Sequence, residues 1–318
     1  MKQLALPVLA AAGLIALLIV VFPAGSDDST APVSTGRSRT PQAPSFPAPP
    51  SGAVVFARED GANGLALAVS PSTDGGALSL QSSVVGPEGT GVSGLPVGFV
   101  VTTATGQVVR AEAKTCGPGC YSAAAETGAP RRVTVTVGRV AQQRRFPFVL
   151  PRTWPPPDAT ALVRRSGRVW RRLKTLVWHE RLASSPDRVL RTVYQAVAPS
   201  TLTYRIAGGP QAVVIGTRRW DRASPTARWQ RSSQQPPLLQ PVPFWSAVRD
   251  AHLVGSGIVR GRPVQRVTFF DPRTPGWFSV ALDKQTLRTL ELRMVATAHF
   301  MHHVYGPFNE PLTLEPPR

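Results

Sequence analysis

Cysteine is nearly absent from these 318 residues: Cys116 and Cys120 are the only two. A single pair cannot complete a tetrahedral zinc site, and its spacing is four rather than the three of a thiol redox pair. Histidine numbers five, with none before His179. Catalytic signatures are missing as well. There is no Gly-x-Ser-x-Gly elbow for a nucleophilic serine, no His-Glu-x-x-His zinc pair and no glycine-rich phosphate loop. Asp271 and Asp283, beside Pro272 and Lys284, read as turn formers rather than as an acid and a base. The sequence points away from an enzyme, and no cofactor is expected.

Acidic side chains are the other shortage. They number 18 against 36 basic ones, a formal charge of +18. Residues 1–150 carry 11 basic and 8 acidic groups while residues 151–318 carry 25 and 10, so the halves differ at +3 and +15. Lysine accounts for only four of the basic groups, and 32 arginines in a chain rich in Ala and Pro also fit a coding bias. Such a field attracts polyanions, but an exported protein meets anionic headgroups and envelope polymers before it meets DNA. No nucleic-acid partner is expected.

What the chain has in plenty comes first in order. Lys2 is followed by an uncharged run over residues 4–22, and at about 1.5 Å per residue it spans roughly 28 Å, close to a hydrocarbon core. Signal cleavage wants small residues at the third and first positions before the cut. A cut after Ala24 puts Phe22 at the third, and one after Gly25 puts Pro23 there. Residues 1–25 are therefore read as a signal anchor, with a cleaved signal peptide as the alternative. The expected location is the cell membrane, single-pass, with the remainder extracytoplasmic. Residues 26–51, rich in Pro, Ser, Thr and Ala, form a linker that cannot bury enough surface to offset chain entropy.

From residue 52 to 150 the apolar residues come in short runs cut by Gly and Pro: 53–57, 65–69, 78–85, 97–102, 108–113, 121–125, 133–137 and 146–149. Leu65, Leu67, Val69 and Val133, Val135, Val137 alternate with smaller or polar neighbours, as in half-buried strands. This predicts an antiparallel β-sandwich. Pro155, Pro156 and Pro157 mark a boundary, and Asp158 can cap a following helix with Leu162, Ser166, Val169, Trp170 and Leu173 on one face. Strand patterns return over 176–182, 189–197, 201–206, 212–215, 252–259, 264–270, 277–282 and 289–305, with a hairpin at 220–229 and a short helix at 245–251. The second domain, 158–318, is thus expected to be a curved antiparallel sheet packed on one or two helices.

Candidate site residues are few. Cys116 and Cys120 enclose Gly117, Pro118 and Gly119, a loop tight enough for a structural disulfide in an oxidising compartment. His299, Met301 and His303 would share one face of a strand, and imidazole with thioether suits copper, although Met and Phe in such a strand also serve as core. Arg164, Arg165, Arg168, Arg171 and Arg172 make the helix after the boundary strongly basic, fit either for anionic headgroups or for water. All seven tryptophans lie beyond residue 153, able to line an apolar cavity or to fill a core.

Two resemblances follow from particular stretches. Residues 53–150, through GLALAVSP at 64–71, CGPGCY at 116–121 and the segment 146–151, resemble the immunoglobulin-like domain that accompanies the membrane core of some bacterial copper-resistance proteins. Residues 158–318, through 220–222, 271–277, the HFMHH stretch and Phe308, Asn309, Pro311, Pro316 and Pro317, resemble the C-terminal domain of the same proteins. That domain is similar to periplasmic lipoprotein carriers, which hold acyl chains in a half-open β-barrel. The resemblance implies a membrane-tethered binding protein with a lipid or lipidated ligand. Copper handling at the outer membrane face is the alternative, and a structural role beside an integral membrane partner is a third. The histidines that bind copper on related sandwiches have no counterpart before His179.

Overall fold

Alternating side chains set the strands of the first half. A computed structural model describes residues 47–59, 64–71, 77–86, 90–185, 188–296 and 299–318. The expected anchor over 1–25 and the linker as far as residue 46 lie outside the described residues. Strands β1 (Val54–Glu59), β2 (Gly64–Pro71), β3 (Ala77–Val85), β6 (Lys114–Gly117) and β7 (Cys120–Glu126) form a five-stranded sheet in the order β1-β2-β3-β7-β6. Strands β4 (Val97–Thr103), β5 (Val108–Glu112), β8 (Pro130–Val137) and β9 (Arg144–Val149) form a four-stranded sheet in the order β5-β4-β8-β9. All pairings are antiparallel. Leu65, Leu67 and Val69 from one sheet share a core with Phe99, Val101, Val133, Val135, Phe146 and Phe148 from the other.

The second half is one sheet of eleven strands. In chain order these are β10 (Thr175–Ser185), β11 (Arg188–Val197), β12 (Thr201–Ile206), β13 (Gln211–Ile215), β14 (Arg218–Arg222), β15 (Gln230–Ser233), β16 (Arg249–Val259), β17 (Arg262–Asp271), β18 (Gly276–Asp283), β19 (Thr289–Ala296) and β20 (His299–Phe308). Their spatial order is β15-β14-β13-β12-β11-β10-β20-β19-β18-β17-β16, antiparallel throughout. Because β15 and β16 are consecutive in the chain yet lie at opposite edges, residues 234–248 must cross from one side of the sheet to the other. The single α-helix among the described residues, α1 (Thr160–Trp170), buries Leu162, Val163, Ser166, Gly167 and Trp170. Asp158 accepts both the backbone N–H and the hydroxyl of Thr160, at 3.2 and 2.6 Å. Those bonds hold its carboxyl below the usual range.

The expected helix at 245–251 does not form. Pro236, Pro237, Pro241 and Pro243 remove backbone donors ahead of it, and Asp250 takes φ +51°, outside the helical region. The chain instead enters β16 at Arg249.

The described residues, all from 47 onward, form one compact unit. The first sheet is buried on both sides: while Leu65 and Leu67 face the sandwich core, Ala66 and Ala68, with Ala53, Val55 and Ala57, pack against Ala183, Phe270, Trp277, Val295 and Phe300 of the large sheet. Small residues on one partner meet large aromatics on the other. An ion-pair chain borders the contact, with Arg181 and Arg293 reaching Glu59 at 2.7 and 3.8 Å.

Candidate binding face

Strand register sorts the large sheet into two faces. Leu182, Glu180 and Trp178 of β10 lie opposite Met301, His303 and Tyr305 of β20, and Tyr194 and Tyr204 continue the same face across β11 and β12. On the other side of β20 come Leu292 and Met294, then Val280 and Phe278, then Phe269. This inner face is the one that α1 covers. Trp170 donates through Nε1 to Thr289 Oγ1 at 3.0 Å and packs edge-on against Tyr305. Trp178 stacks on Tyr194 with ring centres 4.6 Å apart.

A polar network lies within this apolar surface. His303 contacts Glu180 Oε2 through Nε2 at 2.8 Å and the Tyr305 hydroxyl through Nδ1 at 2.7 Å, and Tyr194 donates its hydroxyl to Glu180 Oε1 at 3.1 Å. His303 has no accessible surface and Glu180 only 7%. With Nε2–H donating to the carboxylate and Nδ1 accepting from Tyr305, every polar side-chain atom of the group is satisfied around one negative charge. Burial, reinforced by Glu180, pushes both Tyr194 and Tyr305 well above the usual phenol range, so each keeps its proton. The stakes are high: removing one member leaves an uncompensated polar group in low dielectric.

Residues 234–248 form a strap over this face. Phe244 meets the His303 ring edge-on at 5.0 Å, and Trp245 contacts Trp170 and Phe269 at 6.3 and 5.6 Å. The strap is fastened at its ends: Gln234 donates to Thr217, while Ser246 and Ala247 donate backbone N–H groups to Asp271 Oδ2 at 2.7 and 3.2 Å. Between them a single backbone bond among the described residues, from Gln240 to Pro199, ties it to the sheet. The inner face beneath is filled. Phe269, Phe278, Leu282, Leu292 and His303 have no accessible surface, so they border no void that a water molecule could enter. Depressions of about 350 and 550 Å³ among the described residues lie on the sandwich instead, beside Trp154 and beside Glu112.

The residues singled out from sequence fall in three places. Cys116 and Cys120 are joined by a disulfide with Cα atoms 5.0 Å apart. Gly119 in its loop has φ +66° and lies so close to the backbone of Gly91 that a Cβ would meet it at 2.5 Å. Met301 and His303 occupy the inner face, and His299 pairs with Ala296 in the same register; the side chain of His299 lies outside what is described. No cluster of three metal-ligating side chains occurs among the described residues. A metal ion at His303 would have to replace Glu180 or Tyr305. Arg164, Arg165, Arg168, Arg171 and Arg172 are all exposed on or just after α1, on the side away from the sheet. No helix among the described residues is long and apolar enough to cross a membrane. Glu180, Tyr194 and the strap were missed from sequence. Glu180 stands 123 residues from His303, and no local pattern signals such a pairing.

No family model and no curated protein matches the chain. Among solved structures, the Mycobacterium tuberculosis lipoprotein LppX is similar at 11% identity and a TM-score of 0.39, covering 49% of this chain and 97% of LppX. A DUF1329 family protein from Desulfovibrio piger, at 9% identity, gives a TM-score of 0.28 over 49% of this chain and 92% of its own. A LolA superfamily protein from Nitrosomonas europaea, also at 9%, gives 0.25 over 49% and 96%. With scores this low, they decide nothing about function. The copper-resistance and immunoglobulin-like resemblances rest on the sequence stretches quoted for them.

Proposed function

We propose that the chain is a membrane-tethered, extracytoplasmic, non-enzymatic binding protein that holds an acyl chain or similar apolar ligand against the inner face of its large sheet. One observation carries the reading: among the described residues, an apolar face of many strands is closed by one helix and by a strap that a single backbone bond secures along its middle. A core meant to stay shut is normally covered by a hydrogen-bonded element. Here Phe244 and Trp245 occupy the position an acyl chain would take, and a ligand that displaces these rings leaves the face dry in both states. The disulfide supports an oxidising location. The retained anchor, an immunoglobulin-like sandwich and a carrier-like half-barrel are parts of the same proposal.

The test is direct. Delipidated full-length protein titrated with a fluorescent fatty acid is expected to bind it saturably with defined stoichiometry. Trp245→Ala, which removes the ring to be displaced, is expected to bind more tightly. Linear, unsaturable uptake by a protein whose melting remains cooperative would remove the reading.

A further inference from the structure

The outer face of the large sheet is covered by the sandwich only in part. Over β10 and β17–β20 the aromatics Phe270, Trp277 and Phe300 meet the alanines of β1 and β2. Over β11–β15 no outward side chain belongs to that shared core. Register places Val193, Arg205, Gln211 and Arg222 in one row across these strands, and Gln195, Thr203, Val213, Trp220 and Arg231 in the next. Ile215 and Arg218 begin a third.

The charge on this face is of one sign. Residues 189–248 contain seven arginines and one acidic residue, Asp221. Asp221 points to the opposite face, where Arg219 binds it at 2.7 Å and Tyr204 lies beside them. Arg191, Arg205, Arg218 and Arg231 are exposed. Both tryptophans on this side carry a guanidinium on the ring: Arg218 over Trp220 at 5.6 Å and Arg222 over Trp229 at 4.5 Å. Arg222 is further fixed by Gln211 Oε1 at 2.7 Å.

We infer that the outer face of β11–β15 docks on an anionic lipid bilayer. Guanidinium groups match phosphate oxygens bidentately, and indole rings partition to the headgroup level, where one end is apolar and the other wet. Val193 and Ile215, both half-buried, supply apolar surface at the same height. The rows lie across hydrogen-bonded strands rather than along a cleft, a shape for a bilayer surface and not for a protruding peptide or a single polymer strand. This inference concerns the outer face and does not depend on what the inner face binds.

Full-length protein is reconstituted in phosphatidylcholine vesicles, with and without phosphatidylglycerol, that carry lipids brominated in their chains. Tryptophan quenching is expected to increase when phosphatidylglycerol is present, and the increase is expected to vanish in Trp220→Phe/Trp229→Phe. High salt should abolish it as well, because the screening length falls from about 10 Å at 0.1 M to about 3 Å at 1 M. Arg205→Glu/Arg218→Glu/Arg231→Glu, changed only at exposed positions, is expected to weaken the composition-dependent part roughly hundredfold, from about fivefold per basic residue. Any apolar run inserted in the membrane contributes equally to both vesicle types and cancels. Equal quenching in the two compositions, or an increase that survives both variants, would overturn the inference. So would binding to a soluble polyanion with no preference for anionic vesicles.

Discussion

The two halves of the large sheet's outer face are built from the same antiparallel strands and differ in what covers them. Over β17–β20 the outward positions are Phe270, Trp277, Val295 and Phe300, which find alanines and valines of the sandwich in contact. Over β11–β15 the outward positions include Arg205, Arg218, Arg222 and Arg231 among polar and smaller apolar residues, with Trp220 and Trp229 lying under guanidinium groups. Sheet pairing alone does not decide which side chains an outward position takes. The first half spends its outer face on folding and the second keeps it available.

Substitutions should separate the halves by size of effect. Phe300 has no accessible surface at the centre of the covered half, and Phe300→Ala should cost about 3–5 kcal/mol in chemical denaturation. Gly64→Ala comes next: a Cβ there would lie 2.9 Å from the Phe300 ring, and overpacking should cost about 1–3 kcal/mol. Phe300→Leu should recover part of that loss in a double-mutant cycle. If the two changes are additive, sheet and sandwich do not pack as described.

A smaller effect is expected at the edge of the covered half. Glu291 accepts from His302 at 2.9 Å and from Arg293 at 3.1 Å. The His302 bond, aided by Arg293 and opposed by burial, lowers its carboxyl to about 2. A depressed carboxyl contributes stability above its unfolded value and loses it as pH falls. Wild type should therefore exceed Glu291→Gln in melting temperature above pH 4.5, and the difference should close as pH falls toward about 2. A difference that persists at the acid end would assign the effect to packing. In the uncovered half, Arg205→Glu should change stability by less than about 0.5 kcal/mol. A loss comparable to that of Phe300→Ala would mean that something covers that face.

Much of this was legible because it is local. The alternation at Leu65–Val69 and Val133–Val137, the buried stripe of α1 and the Cys116–Cys120 loop are set within a few residues. The apolar run at β2 carried a further meaning: its alanines as well as its leucines are buried, because the strand lies between two partners. The binding face was not legible. Glu180 meets His303 because β10 pairs with β20 and not with a sequential neighbour alone, and the pattern at 245–251 resembles a short helix until Asp250 and the prolines before it are considered. The basic outer face needed register as well, since arginines scattered from 191 to 231 align only once β11–β15 are paired.

Amide hydrogen exchange, with and without saturating fatty acid, addresses the inner face most directly. If the strap is the cover that a ligand displaces, the amides of Gln240, Ser246 and Ala247 should lose protection on loading while those of β17–β19 keep theirs. Unchanged protection across residues 234–248 with the ligand bound would contradict the account.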